Sequence, residues 1–258
     1  MYTLDHSQKT GLVFGVANHR SLAMGIAQKL HDSGARLAFT YQTERLKEMV
    51  EKATEGLDGS LLLECDVSND QDLEQTFSTV QKEFGHLDFL VHSVAYAPRE
   101  ELERPFAETS RNGFKMALDI SAYSLIAMSR IAAPLMEGRN GSIVALSYLG
   151  AERAVENYNV MGTAKAALEQ AVRQLSIELG QKNIRINAIS AGPVNTLAAR
   201  GVSGFKSILK VYEERAPLRR NITKEEVGDA ALFLLSDMAS GITGTTLHVD
   251  SGYHVVGY

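Results

Sequence analysis

GLVFGVANHRSLAMG, residues 11–25, is the stretch on which the reading of the fold turns. An apolar run of strand length, Gly11–Val16, reaches a glycine, and a segment of helical period opens at Ser21. Gly15 permits a tight turn, Ser21 can cap the helix, and Ala23 and Gly25 let that helix lie close to a sheet. Backbone N–H groups at such a helix N-terminus would face a pyrophosphate. The three-glycine spacing G-x-G-x-x-G is absent, so that fingerprint fails as written. A plain strand–turn–helix corner is the ordinary alternative.

The same alternation continues along the chain. Six further short apolar runs, Arg36–Tyr41, Ser60–Cys65, Leu87–Val94, Ser142–Ser147, Arg185–Ile189 and Thr246–Asp250, read as strands. Between them, helical period is expected over Ser21–Ser33, Thr43–Glu55, Asp70–Phe84, Arg111–Met136, Tyr158–Gln181 and Lys224–Ser236. Several strands are apolar on both faces, as buried parallel strands are. The fold class is therefore α/β: a single doubly wound Rossmann-type domain over residues 1–258, with a seven-stranded parallel sheet and helices on both faces. Right-handed crossovers bring the carboxyl ends of the strands to one edge, where ligands bind. The long loops Ala95–Ser110 and Ala191–Arg220 both follow strands at that edge.

Bulk composition narrows the class of function. Hydrophobic residues make up 45% and charged residues 22% of 258, the balance of a globular chain with a sizeable core. Net charge is -5 with both signs interspersed, which gives no electrostatic footprint for nucleic acid. The longest apolar runs are strand-sized and the first ten residues are mixed, so neither a membrane span nor a signal peptide is expected. Cys65 stands alone, which excludes an intrachain disulfide and fits a reducing, cytoplasmic setting. The seven histidines form no HExxH pair and no Cys/His cluster, so no metal is expected. The methionines, including Met24, Met116, Met128 and Met161, read mostly as core, and Cys65 as a buried strand residue.

Three further places on the expected edge carry chemistry. At the end of the second strand, TYQTERLK (residues 40–47), no Asp or Glu sits at the strand tip to bind a ribose 2′-hydroxyl. Gln42 can hydrogen-bond adenosine, while Arg45 and Lys47 either attract a 2′-phosphate or are solvated helix charges. After the third strand, Asp66 either receives an adenine amino group or organises a turn. YNVMGTAK, residues 158–165, sets Tyr158 and Lys165 close to two helical turns apart, on one face if both are helical. A phenol there can donate to a developing enolate oxygen, and an ammonium can hold ribose hydroxyls.

With these residues in view, the chain resembles the short-chain dehydrogenases/reductases, and within them is similar to the bacterial NADH-dependent enoyl-[acyl-carrier-protein] reductases. Most of the superfamily uses Tyr-x3-Lys, which would place tyrosine where this chain has Met161. The enoyl reductases use Tyr-x6-Lys, matched by Tyr158 and Lys165, with a second tyrosine ten residues earlier, matched by Tyr148 in LSYLG. GVAN (15–18), HSVA (92–95), Ala97-Pro98, SAGP (190–193), APLRR (216–220) and VDSGY (249–253) extend the likeness nearly end to end. The resemblance implies reduction of the trans-2 double bond of enoyl thioesters carried on an acyl carrier protein, the last reductive step of fatty acid elongation. It implies NADH as cofactor, with NADPH possible, and a homotetramer packed through alanine-rich helices such as that containing Ala164, Ala166, Ala167 and Ala171. Residue by residue, it implies dinucleotide contacts at Gly15, Ser21, Leu22, Gln42, Asp66, Val67, Val94, Lys165, Val194, Asn195, Thr196, Leu197 and Ala198. Ala97 would touch the acyl substrate, and Tyr148 and Tyr158 would be active-site tyrosines, with Tyr148 lining the acyl pocket or assisting the proton path. Asn195 stands where the family usually has arginine. The segment around 195–210 is expected either as a lid over the acyl pocket or as a surface helix with an apolar face. A 3-ketoacyl-type carbonyl reductase, disfavoured by Met161, and a non-catalytic dinucleotide sensor are the rival functions.

Overall fold

The structure, a computed structural model, describes residues 4–197, 199 and 204–257. Seven parallel strands form one sheet in the order β3-β2-β1-β4-β5-β6-β7. They are β1 (Thr10–Phe14), β2 (Arg36–Tyr41), β3 (Leu61–Glu64), β4 (Phe89–His92), β5 (Ser142–Ser147), β6 (Arg185–Ala191) and β7 (Thr246–Val249). All seven expected strands are present. The register aligns Phe14 with His92, His92 with Ala145, and Ser147 with Ser190, so their carboxyl ends share one edge. Chain order reverses between β1 and β4, which opens a crevice at that point.

The helices divide into two layers. On one face α1 (Leu22–Asp32), α2 (Glu44–Ala53) and α9 (Lys224–Leu235) cover a cluster centred on Val13, Ile26, Phe39, Val91 and Leu234. On the other, α3 (Asp70–Phe84), α6 (Ser124–Met136) and α7 (Asn159–Gly180) cover Phe14, Phe77, Leu90, Met128 and Leu168. Phe14, Phe39, Phe77 and Phe89 are fully buried, and each such side chain contributes about 1.5–3 kcal/mol.

Four local expectations need correction. Gly25 does not face the sheet: a Cβ there would run into the Lys224 carbonyl, and Gly228 presses back on the Gly25 carbonyl, so the glycine pair lets α1 and α9 touch. The helix expected over Arg111–Met136 is interrupted. α5 (Arg111–Leu118) and α6 are joined by a π-helical turn, Asp119–Tyr123. The loop after β4 holds a short helix, α4 (Arg99–Glu103), and the loop after β6 holds α8 (Phe205–Arg215), an amphipathic helix that buries Tyr212. Met116 is largely exposed, unlike Met24, Met128 and Met161.

Arg111–Met136 has the length and hydropathy to cross a bilayer, but 56% of its most apolar window is buried, as in a core helix. Among the described residues no three His, Cys, Asp or Glu side chains gather as a metal cluster.

Candidate active site

β1 is followed by Gly15, whose φ of +96° is natural only to glycine. A Cβ there would overlap the Ser93 carbonyl just beyond β4, so the missing side chain keeps the crevice open at the switch point. Ser21 occupies the N-cap position of α1 but does not cap it. Its hydroxyl turns back and accepts from the N–H groups of Ala17 (3.0 Å) and Asn18 (3.1 Å). The loop is thereby tied down while the first helical amides stay free of a side-chain cap, which suits an anion.

A cleft of about 1540 Å³ runs from this turn along the strand ends. Gly15, Gln42, Asp66, Val67 and Val94 all line it, and so do Asn112, Tyr123 and Ile126 from the α5–α6 segment. Gln42 donates to Asp66 at 2.9 Å, and Asp66 also accepts from the backbone and hydroxyl of Ser68 (2.9 and 2.7 Å). Asp66 thus builds a turn and also lines the cleft. Burial opposes its ionisation, but the Gln42 and Ser68 bonds outweigh this and hold the carboxyl below its ordinary range. Cys65 beside it is buried, and burial pushes its thiol up to about 11, which suits a packing residue rather than a nucleophile.

The tyrosines and lysine lie beyond the carboxyl end of β5, on the same edge. Tyr158 is not helical in the expected sense; it is the residue before α7, and the helix starts at Asn159. Its ring packs with Ala97 against Leu102, Ala117, Val160 and Met161, and Tyr148 meets it edge-on with centroids 4.8 Å apart. Burial, reinforced by Tyr148, raises the Tyr158 pKa, so the group stays a neutral donor. Lys165 is buried on α7 and donates from Nζ to the Leu146 carbonyl at 2.5 Å. Burial pushes its pKa down to about 8, with Glu169 acting in the opposite direction. Ser21, Leu22, Tyr148, Tyr158, Lys165 and the stretch Val194–Leu197 do not line the large cleft itself. Val194 packs against the core after β6, Asn195 and Leu197 are exposed, and the Thr196 N–H bonds the Val194 carbonyl at 2.7 Å. Ala198 lies outside the described residues.

Three features were not read from sequence. Tyr212 of α8 stacks on Tyr253 with centroids 3.9 Å apart. Its buried hydroxyl lacks a well-aligned partner but lies close enough to Tyr148 to act on that phenol. His92 at the end of β4 is fully buried, bonds Ser124 through Nε2 at 2.8 Å, and is held neutral by burial and by Lys165, its pKa down to about 3. Glu169 is buried one turn beyond Lys165, a spacing that was open to inspection.

A nicotinamide dinucleotide fits this edge. Gly15 and the Gln42–Asp66 pair line the crevice, the uncapped start of α1 follows the Gly15 turn, and Lys165, the one buried lysine among the described residues, lies at the carboxyl end of β5. Fold and crevice together define a Rossmann-type nicotinamide-dependent oxidoreductase. Residues 15–254 match the family model described as enoyl-(acyl carrier protein) reductase. The enoyl-[acyl-carrier-protein] reductase [NADH] of Bacillus cereus is 54% identical over 96% of this chain and 98% of its own. The [NADPH] enzyme of Staphylococcus aureus strain MRSA252 is 50% identical over 98% and 99%. The crystal structure of the Aquifex aeolicus NADH enzyme superposes with a TM-score of 0.95 at 50% identity, covering both chains completely. That of the B. cereus enzyme with NADP+ and indole naphthyridinone gives 0.96 at 53%, again over both whole chains. The chain belongs to the enoyl-[acyl-carrier-protein] reductase family of short-chain dehydrogenases/reductases.

Proposed function

We propose that this chain reduces the trans-2 double bond of enoyl thioesters presented by an acyl carrier protein, completing the reductive part of each fatty acid elongation cycle. The observation that carries the reading is the half-buried Tyr158 phenol, kept protonated, beside Ala97 and one crossover from the crevice that begins at Gly15. Bound NADH, or NADPH as in the S. aureus relative, supplies the hydride. The thioester oxygen gathers negative charge as the β-carbon is reduced, and the Tyr158 hydroxyl donates to it. Lys165, an ammonium below about pH 8, orients the ribose and adds positive potential. Ala97 borders the acyl group. Tyr148, edge-on to Tyr158, supports that ring and closes the acyl side of the site.

The dinucleotide is assigned to Gly15, Ser21, Leu22, Gln42, Asp66, Val67, Val94 and Lys165, with Val194 to Leu197 toward the nicotinamide. Asn195 is exposed and uncharged where the family usually has arginine, so this stretch serves through its backbone. The acyl side is also assigned to the segment around 195–210, whose residues 205–210 form the start of α8. The active form is assigned as a cytoplasmic homotetramer. Support for this comes from the apolar face of Phe114, Met116, Tyr123 and Ile126, left exposed beside the small residues Ala167 and Ala171.

The test follows cofactor absorbance with crotonyl and acetoacetyl thioesters and each cofactor in turn. Turnover with crotonyl but not acetoacetyl thioester is the expected result. The reverse preference would assign a carbonyl reductase, and tight cofactor binding with no turnover would leave only a sensor.

A further inference from the structure

One turn beyond Lys165, α7 buries a carboxylate. Glu169 is 4% exposed, and a spacing of four puts it on the same helical face as the lysine. The last two residues of β5 take hold of one partner each. The Leu146 carbonyl accepts from Lys165 Nζ at 2.5 Å, and the Ser147 hydroxyl donates to Glu169 Oε1 at 2.5 Å. Burial and Glu169 are the influences on Lys165, and His92, which feels the lysine from β4, is itself held neutral by burial.

The far side of Glu169 opens on a polar cavity of about 360 Å³, lined also by Glu152, Arg173, His248 and the Gly244–Thr246 edge of the sheet. His248 Nε2 meets Glu152 Oε1 at 2.9 Å, and its ring stacks on His254, which Asp250 holds at 3.0 Å. Glu152 and Arg173 are exposed, so this cavity reaches solvent. Burial holds the Glu169 carboxyl above its ordinary range and Glu152 adds to this, while the Ser147 hydrogen bond, Arg173 and His248 favour the ionised form. The buried lysine thus shares a helix face and the end of β5 with a carboxylate one turn on, whose other side reaches solvent.

We propose that Glu169 is a positioning residue whose carboxylate keeps Lys165 in its ammonium form, and whose cavity lets that pair exchange protons with bulk water. The inference rests on Lys165 holding the cofactor ribose, as assigned above. Neutralising the carboxylate leaves Lys165 with burial alone, which lowers the pH at which it loses its proton.

The experiment measures NADH affinity by fluorescence across pH, for the wild type and for Glu169→Gln, with thermal unfolding as the check on folding. The expected result is affinity within about twofold of wild type near pH 6.5, falling to at least about fivefold weaker near pH 8, with Glu169→Asp restoring the wild-type midpoint. A purely structural role would weaken binding by the same factor at every pH, and that outcome, or superimposable profiles, overturns the proposal. Should Glu169→Gln fail to fold, Ser147→Ala takes its place. A carboxylate without its donor titrates higher, so the midpoint moves the same way by a smaller amount, and no movement overturns the idea. Wild-type protein that binds no NADH and reduces no enoyl thioester would instead remove the functional reading beneath it, a result distinct from either.

Discussion

Tyr158→Phe removes one oxygen and leaves the site otherwise as it stands. The ring is what packs: it meets Tyr148 edge-on, lies against Leu102, Ala117, Val160 and Met161, and sits so close to Gly150 that a Cβ there would have to displace it. Phenylalanine keeps each of those contacts, so stability should change by less than about 1 kcal/mol. The lost group is a neutral donor, because burial keeps the phenol protonated throughout the working pH range. Removing one donor to a developing oxyanion costs about 3–4 kcal/mol, which corresponds to a fall in kcat of about 100- to 1000-fold. The assay is steady-state oxidation of NADH with a crotonyl thioester, beside NADH affinity by fluorescence and an unfolding curve. Affinity should stay within about twofold, since the hydroxyl is assigned to the substrate and not to the dinucleotide. A folded variant with undiminished kcat would refute the assignment of Tyr158, and one that loses NADH affinity instead would move the residue to the cofactor.

Other consequences concern stability and reactivity. His92 has a folded pKa of about 3 against 6.5 for the free side chain, so the unfolded chain binds the extra proton first; the stability that neutral His92 contributes is complete above 6.5 and is lost as pH falls toward 3. At about 1.4 kcal/mol per unit, going down to pH 5 costs about 2 kcal/mol, and urea unfolding of His92→Asn should show a pH dependence flatter by that amount; equal slopes would contradict it. Gly15→Ala forces a side chain into left-handed backbone and onto the Ser93 carbonyl, so NADH affinity should drop at least tenfold, measured by titration, with a loss of more than about 1 kcal/mol in unfolding free energy. Cys65, buried and raised to about 11, should react with a thiol reagent at pH 8 no faster than the protein unfolds; rapid labelling of native protein would show that β3 does not seal it.

The sheet was legible because its strands are short apolar runs, with β1, β4, β5 and β6 buried on both faces, bounded by polar or glycine-containing turns, and that pattern needs no tertiary information. The crevice was legible for a related reason: Gly15, Gln42 and Asp66 are fixed by where strands end. What escaped depends on neighbours distant in the chain. Gly25 looks like any small residue on a helix until Gly228 arrives opposite it. Tyr212 and Tyr253 are unremarked until α8 folds back on the C-terminal segment, although a surface helix was one of the two readings of that region. Ser21 reads as a cap in sequence, yet the preceding loop competes for its hydroxyl and wins two bonds. Glu169 reads as one more solvated helix charge, because burial cannot be seen in a spacing. Tyr158 was placed on the right element but one position inside it, which is the ordinary uncertainty of a helix end.

The π-helical turn at Asp119–Tyr123 acts as a phase shifter within an otherwise continuous rod. One surplus residue rotates everything before it by about 100° relative to everything after it. That offset lets Ser121 meet the Tyr96 N–H at 3.0 Å while Ser124, three positions on, meets His92. Deleting a single residue here would restore regular winding, swing Phe114 and Met116 to a new bearing, and uncouple the loop that carries Ala97 from the strand that carries His92. A deletion scan along residues 111–136 should accordingly find its sharpest loss of turnover at this turn rather than at the apolar positions around it.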